Sequence, residues 1–133
     1  MKAFVISLEG DGDAFPGLTA ALAGKGANVI AVSLLPGDPP RLGFAVNDED
    51  AARRSLREAH LTAEEYELIE LSLANAPGAL AVAARELADA GAPIQLLLTL
   101  HASSGRTIDM IGVADLSVAR LVVRGLSEDG LID

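Results

Sequence analysis

The chain alternates between short runs in which every second residue is apolar and longer runs in which apolar residues recur every three or four positions. The clearest junction between the two lies at Leu73-Ala74-Asn75-Ala76-Pro77-Gly78-Ala79-Leu80. Upstream, Ile69, Leu71 and Leu73 share one side of an extended segment, with Glu70 and Ser72 on the other, which is the mark of a half-buried strand. Downstream, Leu80, Ala83, Ala84 and Leu87 form one stripe of a helix, and Arg85, Glu86 and Asp89 lie off it. Between them Asn75 reads as the helix cap. Pro77 reads as a residue of the first turn, where the amide it lacks would be unpaired anyway. Gly78 lets another group approach the backbone closely.

The same reading extends over the whole chain and finds it written twice. Leu8 and Leu73 end strand-like runs, Gly26 and Gly91 follow helical runs, and Arg41 and Arg106 open extended runs, each pair 65 positions apart. Beyond these, Asp48 matches Asp115 and Arg53 matches Arg120 at 67, so the second copy gains two residues in a late turn. Pro16-Gly17 and Pro77-Gly78 would need an offset of 61, one helical turn out of step, and the ungapped register of 65 is preferred. In the first copy the pattern predicts a strand from Ala3 to Leu8, an acidic loop from Glu9 to Asp13 and a helix from Ala14 to Lys25. A nearly all-apolar strand covered on both faces follows from Asn28 to Leu35, then a strand from Arg41 to Val46. A helix capped by Asp48 runs to Ala59, with Ala52, Leu56 and Ala59 inward and Arg53, Arg54 and Arg57 mostly outward, and His60 to Thr62 form a short edge strand. The second copy predicts strands over 66–73, 93–101 and 106–113, helices over 77–90 and 115–124, and a last strand near Leu131-Ile132. Each copy is therefore β-α-β-β-α-β. The expected class is α+β: two ferredoxin-like βαββαβ repeats, 1–64 and 65–133, whose antiparallel sheets are covered on one face by helices.

Composition narrows the chemistry. Half of the 133 residues are hydrophobic, enough for a core, and there is no cysteine, which removes disulfides, thiolate metal sites and a catalytic thiol. The net charge of -9 opposes phosphate backbones and anionic lipid surfaces, and three Phe, one Tyr and no Trp leave little to stack bases on. No nucleic acid or membrane partner is expected. The first residues carry too short an apolar run for a secretory signal, and no stretch reaches the roughly 20 apolar residues of a membrane span, so the expected location is the cytoplasm.

The tandem β-α-β-β-α-β order, together with Asn75-Ala76-Pro77-Gly78-Ala79-Leu80 and the later Leu87-Ala88-Asp89-Ala90-Gly91-Ala92-Pro93-Ile94, resembles a pair of ACT domains. These are small ligand-binding modules attached to enzymes and regulators of amino-acid metabolism. The resemblance covers nearly the whole chain. It implies a site for a free amino acid or similar small metabolite where two such domains pair. On that implication Asn75 and Ala76 line the turn and Asn75 contacts the polar end of the ligand, the backbone of Gly78 and Ala79 meets its carboxylate, and Leu80 walls its side chain. The amides at a helix start suit such an anion. In the first copy Gly10 stands opposite Asn75 and Gly12 opposite Pro77, so that loop has lost the motif. Asp11 and Asp13 read either as a solvated loop in which Asp13 caps the helix, or as carboxylates reaching for the ammonium of a ligand held by the second copy.

Catalysis is not expected. His60 and His101 have no ligand partners at metal spacing, and Ser103-Ser104-Gly105 reads as a hairpin turn. Gly10 and Gly12 lack the lysine of a phosphate loop, and Arg41 and Arg106 read as surface residues at strand starts. No metal or cofactor is implied. The expected protein is a homodimeric, non-catalytic sensor that binds an amino acid between its repeats and reports to a metabolic enzyme or regulator. The alternative is an interaction or regulatory-subunit module that binds no small molecule.

Overall fold

The computed structural model describes residues 1–10 and 12–128. The chain divides into two compact units, Met1–Tyr66 and Glu67–Asp133. The first contains β1 (Lys2–Ser7), α1 (Ala14–Gly24), β2 (Val29–Leu35), β3 (Arg41–Val46) and α2 (Glu49–Glu58). It also holds the first residues of β4 (Ala63–Ala74). β3 lies between β2 and β1 and runs antiparallel to both, and β4 follows on the far side of β1. This is the four-strand order of a split β-α-β fold. The second unit takes β4 from Glu67 on, then α3 (Ala79–Asp89), β5 (Ile94–Ala102), β6 (Arg106–Val113) and α4 (Leu116–Glu128), with β6 between β4 and β5. The strand expected near Leu131-Ile132 lies outside the described residues. The fold is α+β, with the order of two ferredoxin-like repeats.

Alternation decides which side chains are buried. In the first unit Phe4 and Ile6 of β1 and Leu42, Phe44 and Val46 of β3 point at the helices, where they meet Leu18 and Leu22 of α1 and Ala52 and Leu56 of α2. Phe4 and Phe44 stand opposite each other in the ladder, and their rings stack at 5.5 Å between centroids. In the second unit Leu71, Leu73 and Ile111 take the same role against Ala83 and Leu87 of α3 and Ala119 and Leu126 of α4. The sheet face turned away from the helices is buried in part. It carries small residues in the first unit, Ala3, Ala31 and Ala45, and larger ones in the second, Leu68, Leu98 and Met110.

The ladder relocates the two-residue insertion. Phe4 pairs with Phe44, and Ile69, 65 positions beyond Phe4, pairs with Ile111, 67 beyond Phe44. The bulge between Val29 and Ala31 recurs 65 positions on, between Ile94 and Leu96. The insertion therefore lies in the β5–β6 hairpin, which carries a further irregularity between Thr99 and His101. Arg41 consequently matches Ile108 rather than Arg106, and the alignment of the two arginines is an accident of sequence.

Other expectations are corrected. β2 is not covered on both faces: as an edge strand it leaves Val32, Leu34 and Leu35 about half exposed. His60 to Thr62 form no strand, because His60 takes a left-handed turn (φ +57°) and β4 begins at Ala63. Ala59 is exposed rather than inward. Arg53 is not a solvated residue of the outer face. Its guanidinium donates to Glu65 at 2.8 Å and Asp50 at 3.0 Å and lies 5.8 Å from the centre of the Phe4 ring, tying α2 to the start of β4. Among the described residues no helix is long and apolar enough to cross a membrane.

The repeat extends to the caps. Asp48 Oδ1 accepts the amide of Ala51 at 3.0 Å, and Asp115 Oδ1 accepts that of Val118 at 3.1 Å. Asp115→Ala should cost about 1 kcal/mol in urea unfolding, and Asp115→Ser should recover most of it. Glu65 is held below its ordinary value near 4.5, first by the hydrogen bond from Arg53 and against the opposing effect of burial. A lowered carboxylate stabilises the fold above its ordinary value, and the contribution is lost as pH falls through the lower folded value. Melting curves from pH 6 to pH 3 should therefore show the wild type losing its advantage over Glu65→Gln at the acidic end.

Candidate functional site

At the end of β4 the chain turns sharply before α3. Asn75 was expected to cap that helix and does not. Its amide donates to the carbonyl of Gly105 at 3.0 Å and its side-chain Nδ2 donates to the carbonyl of Ser103, so Asn75 ties the turn to the β5–β6 hairpin. The hairpin is in turn pinned by Ser103 Oγ, which accepts the amide of Arg106 at 3.1 Å, and by Arg106, which donates to Ser72 Oγ and the Ser72 carbonyl, both at 3.1 Å. Pro77 precedes the helix instead of entering its first turn, and α3 begins at Ala79. The residue at the cap position is Gly78, left-handed at φ +90°, with no side-chain capping bond. Val82 bonds to the Gly78 carbonyl at 3.0 Å, while Leu80 and Ala81 occupy the positions whose amides have no acceptor in a helix's own ladder.

Asn75, Ala76, Gly78, Ala79 and Leu80 thus share one turn of the second unit, and all but the half-buried Ala79 are exposed. Leu80 was expected in the inward stripe and is 46% exposed instead, leaving Ala83 and Leu87 to fill the core. Asp13 belongs to the first unit, at the cap position of α1, with no side-chain capping bond. Asp11 lies outside the described residues.

The corresponding turn of the first unit lines a largely apolar cavity of about 390 Å³, formed by Leu8, Gly10, Phe15, Leu34, Pro40 and neighbours. With the register set by the ladders, their counterparts are Leu73, Asn75, Leu80, Thr99 and Thr107. The cross-strand pair Leu34–Leu42 becomes Thr99–Asp109. Asp109 is only 5% exposed. It accepts a hydrogen bond from Thr99 Oγ1 at 2.7 Å and one from Thr107 Oγ1 at 3.2 Å. Sequence reasoning missed this trio, although a signal was present: Asp109 interrupts the apolar run Ile108-Asp109-Met110-Ile111 in the middle strand of a sheet. A more polar cavity of about 450 Å³ is lined by Ser7, Glu9, Arg41, His60 and Glu64 in the first unit. Glu64 already accepts the Tyr66 hydroxyl there at 2.8 Å, which raises the tyrosine above its ordinary value.

Replacing Gly78 by Ala should destabilise the fold by about 1 to 2 kcal/mol through the left-handed backbone alone, since no atom lies within 4 Å of the added Cβ. Equilibrium unfolding of Gly78→Ala against wild type measures this.

The sequence matches no family model and no curated protein. Solved structures do resemble it. A protein from Bacteroides thetaiotaomicron superposes with a TM-score of 0.79 at 23% identity, over 98% of this chain and 89% of its own. The regulatory subunit of aspartate kinase from Thermus thermophilus, in its ligand-free form, does so with a TM-score of 0.66 at 19% identity, over 93% of this chain and 89% of its own. A structure of the alpha and beta subunits of aspartokinase gives 0.66 at 17%, over 96% and 93%. What they share with this chain is the fold, two ferredoxin-like repeats in tandem.

Proposed function

We propose that this protein is a non-catalytic regulatory module that binds a free amino acid or a similarly small metabolite at the β4–α3 turn and passes that state to a metabolic enzyme or regulator. The observation that carries the reading is a contrast between helix starts. α2 and α4 are sealed by the carboxylates of Asp48 and Asp115, whereas α3 begins at a glycine with no side chain on its first amides. Open amides and the positive end of the helix dipole form a place for a small carboxylate. Asn75, held by the hairpin, stands beside it with its carbonyl oxygen as a further polar contact. The near full-length likeness to an enzyme's regulatory subunit supports the same reading.

The test is thermal unfolding of the protein against each of the twenty amino acids. A ligand at 100 times its Kd stabilises the folded state by about 2.7 kcal/mol, a shift of several degrees for a chain of this size. In Asn75→Ala the affinity for the stabilising amino acid should fall while the unfolding transition remains cooperative; equal affinity would remove Asn75 from the site.

The exposed apolar residues of the edge strand β2 favour a protein partner as well. We propose that this edge pairs with the same edge of a second copy, giving a homodimer. Light scattering should find a dimer for the wild type and a monomer for the double variant Val32→Lys, Leu35→Lys; a monomeric wild type overturns the proposal. A dimer indifferent to all twenty amino acids would leave an interaction module as the function.

A further inference from the structure

Asp109 places a carboxylate where the first unit has a hydrocarbon. Leu42, its counterpart, is 1% exposed and packs in the core opposite Leu34. Asp109 is nearly as deeply buried, yet no cation among the described residues pairs with it, and the residues outside that set include no lysine or arginine. Of the arginines nearest in sequence and fold, Arg85 pairs with Asp89 at 3.4 Å and Arg106 donates to Ser72. An ionised carboxylate withdrawn from water without a countercharge is costly, and two hydroxyl donors offset only part of that cost.

The chemistry of the trio says what would complete it. Thr99 and Thr107 each spend their single hydroxyl hydrogen on Asp109. Each carboxylate oxygen and each hydroxyl then has only acceptor capacity left. A cluster of acceptors around one negative charge, with Thr99 exposed on its outer side, is complementary to a group made of donors and one positive charge. By register Thr99 and Thr107 take the positions of Leu34 and Pro40, which line the cavity at the start of α1, and Asp109 is hydrogen-bonded to both threonines.

We propose that Asp109, supported by Thr99 and Thr107, receives the ammonium group of the ligand whose carboxylate lies on the first amides of α3. This rests on the amino-acid reading above and sharpens it: the site selects a zwitterion and rejects the same molecule with a hydroxyl in place of the ammonium.

The experiment compares wild type, Asp109→Asn and Thr99→Val in thermal-shift titrations. The probes are the twenty amino acids, their 2-hydroxy acids, and ethylammonium chloride against sodium chloride. Asp109→Asn keeps the shape of the side chain, and Thr99→Val leaves the carboxylate in place, so a loss common to both does not depend on one variant folding poorly. The wild type is expected to prefer its amino acid over the matching hydroxy acid at least tenfold. Asp109→Asn should abolish that preference and Thr99→Val should reduce it. An amino acid bound with the same preference by wild type and Asp109→Asn overturns the ammonium site and leaves the amino-acid reading standing. Should no amino acid bind the wild type, the amino-acid reading fails. The amine then decides Asp109 separately: stabilisation by ethylammonium in wild type and not in Asp109→Asn supports the ammonium site, and none in either overturns it.

Discussion

The pairing of β1 with β3, and of β4 with β6, is the constraint on which each unit depends. In a strand successive side chains point to opposite faces, so a slip of one residue would exchange the helix-facing set for the other. Phe4 and Phe44 in one unit and Ile69 and Ile111 in the other mark the same rung of that ladder. Between the copies the second hairpin has grown by two residues, a change that preserves parity. Every helix-facing position of β6 remains helix-facing, and Ile111 and Val113 still meet α3 and α4 where Phe44 and Val46 meet α1 and α2. An insertion of one residue would have turned the core outward.

Because the scaffold tolerates that growth, the two copies have diverged at the same place in the fold. In the first, the turn after β1 lines an apolar cavity floored by leucine and phenylalanine side chains. In the second, the longer hairpin reaches back to hold Asn75, and the apolar pair Leu34–Leu42 has become Thr99–Asp109. The helix starts have diverged in kind as well. Those of α2 and α4 carry the same aspartate cap, which satisfies the local amides and stabilises the fold. Those of α1 and α3 have no side-chain cap and leave local donors open.

The sequence by itself determined the order of the four helices and most of the strands, the tandem repeat, the cap at Asp48 and most of the two cores, because each is a local signal: periodicity, a capping residue, a glycine after a helix. The turn from Asn75 to Leu80 was legible for the same reason. Tertiary structure decided the rest. Whether Asn75 caps α3 or anchors to a hairpin depends on Ser103 and Gly105 lying opposite it, which no local pattern records. Arg53 reads as a surface residue until the chain returns at Glu65 to meet it. Leu34 and Leu35 read as core until β2 proves to be an edge. Asp109 stood in plain view as a charge in an apolar run, but its neighbours Thr99 and Thr107 became its partners only through the β5–β6 hairpin and its irregular register. Pairing across a ladder joins residues that sequence keeps apart, as it joins Thr99 and Thr107 to Asp109.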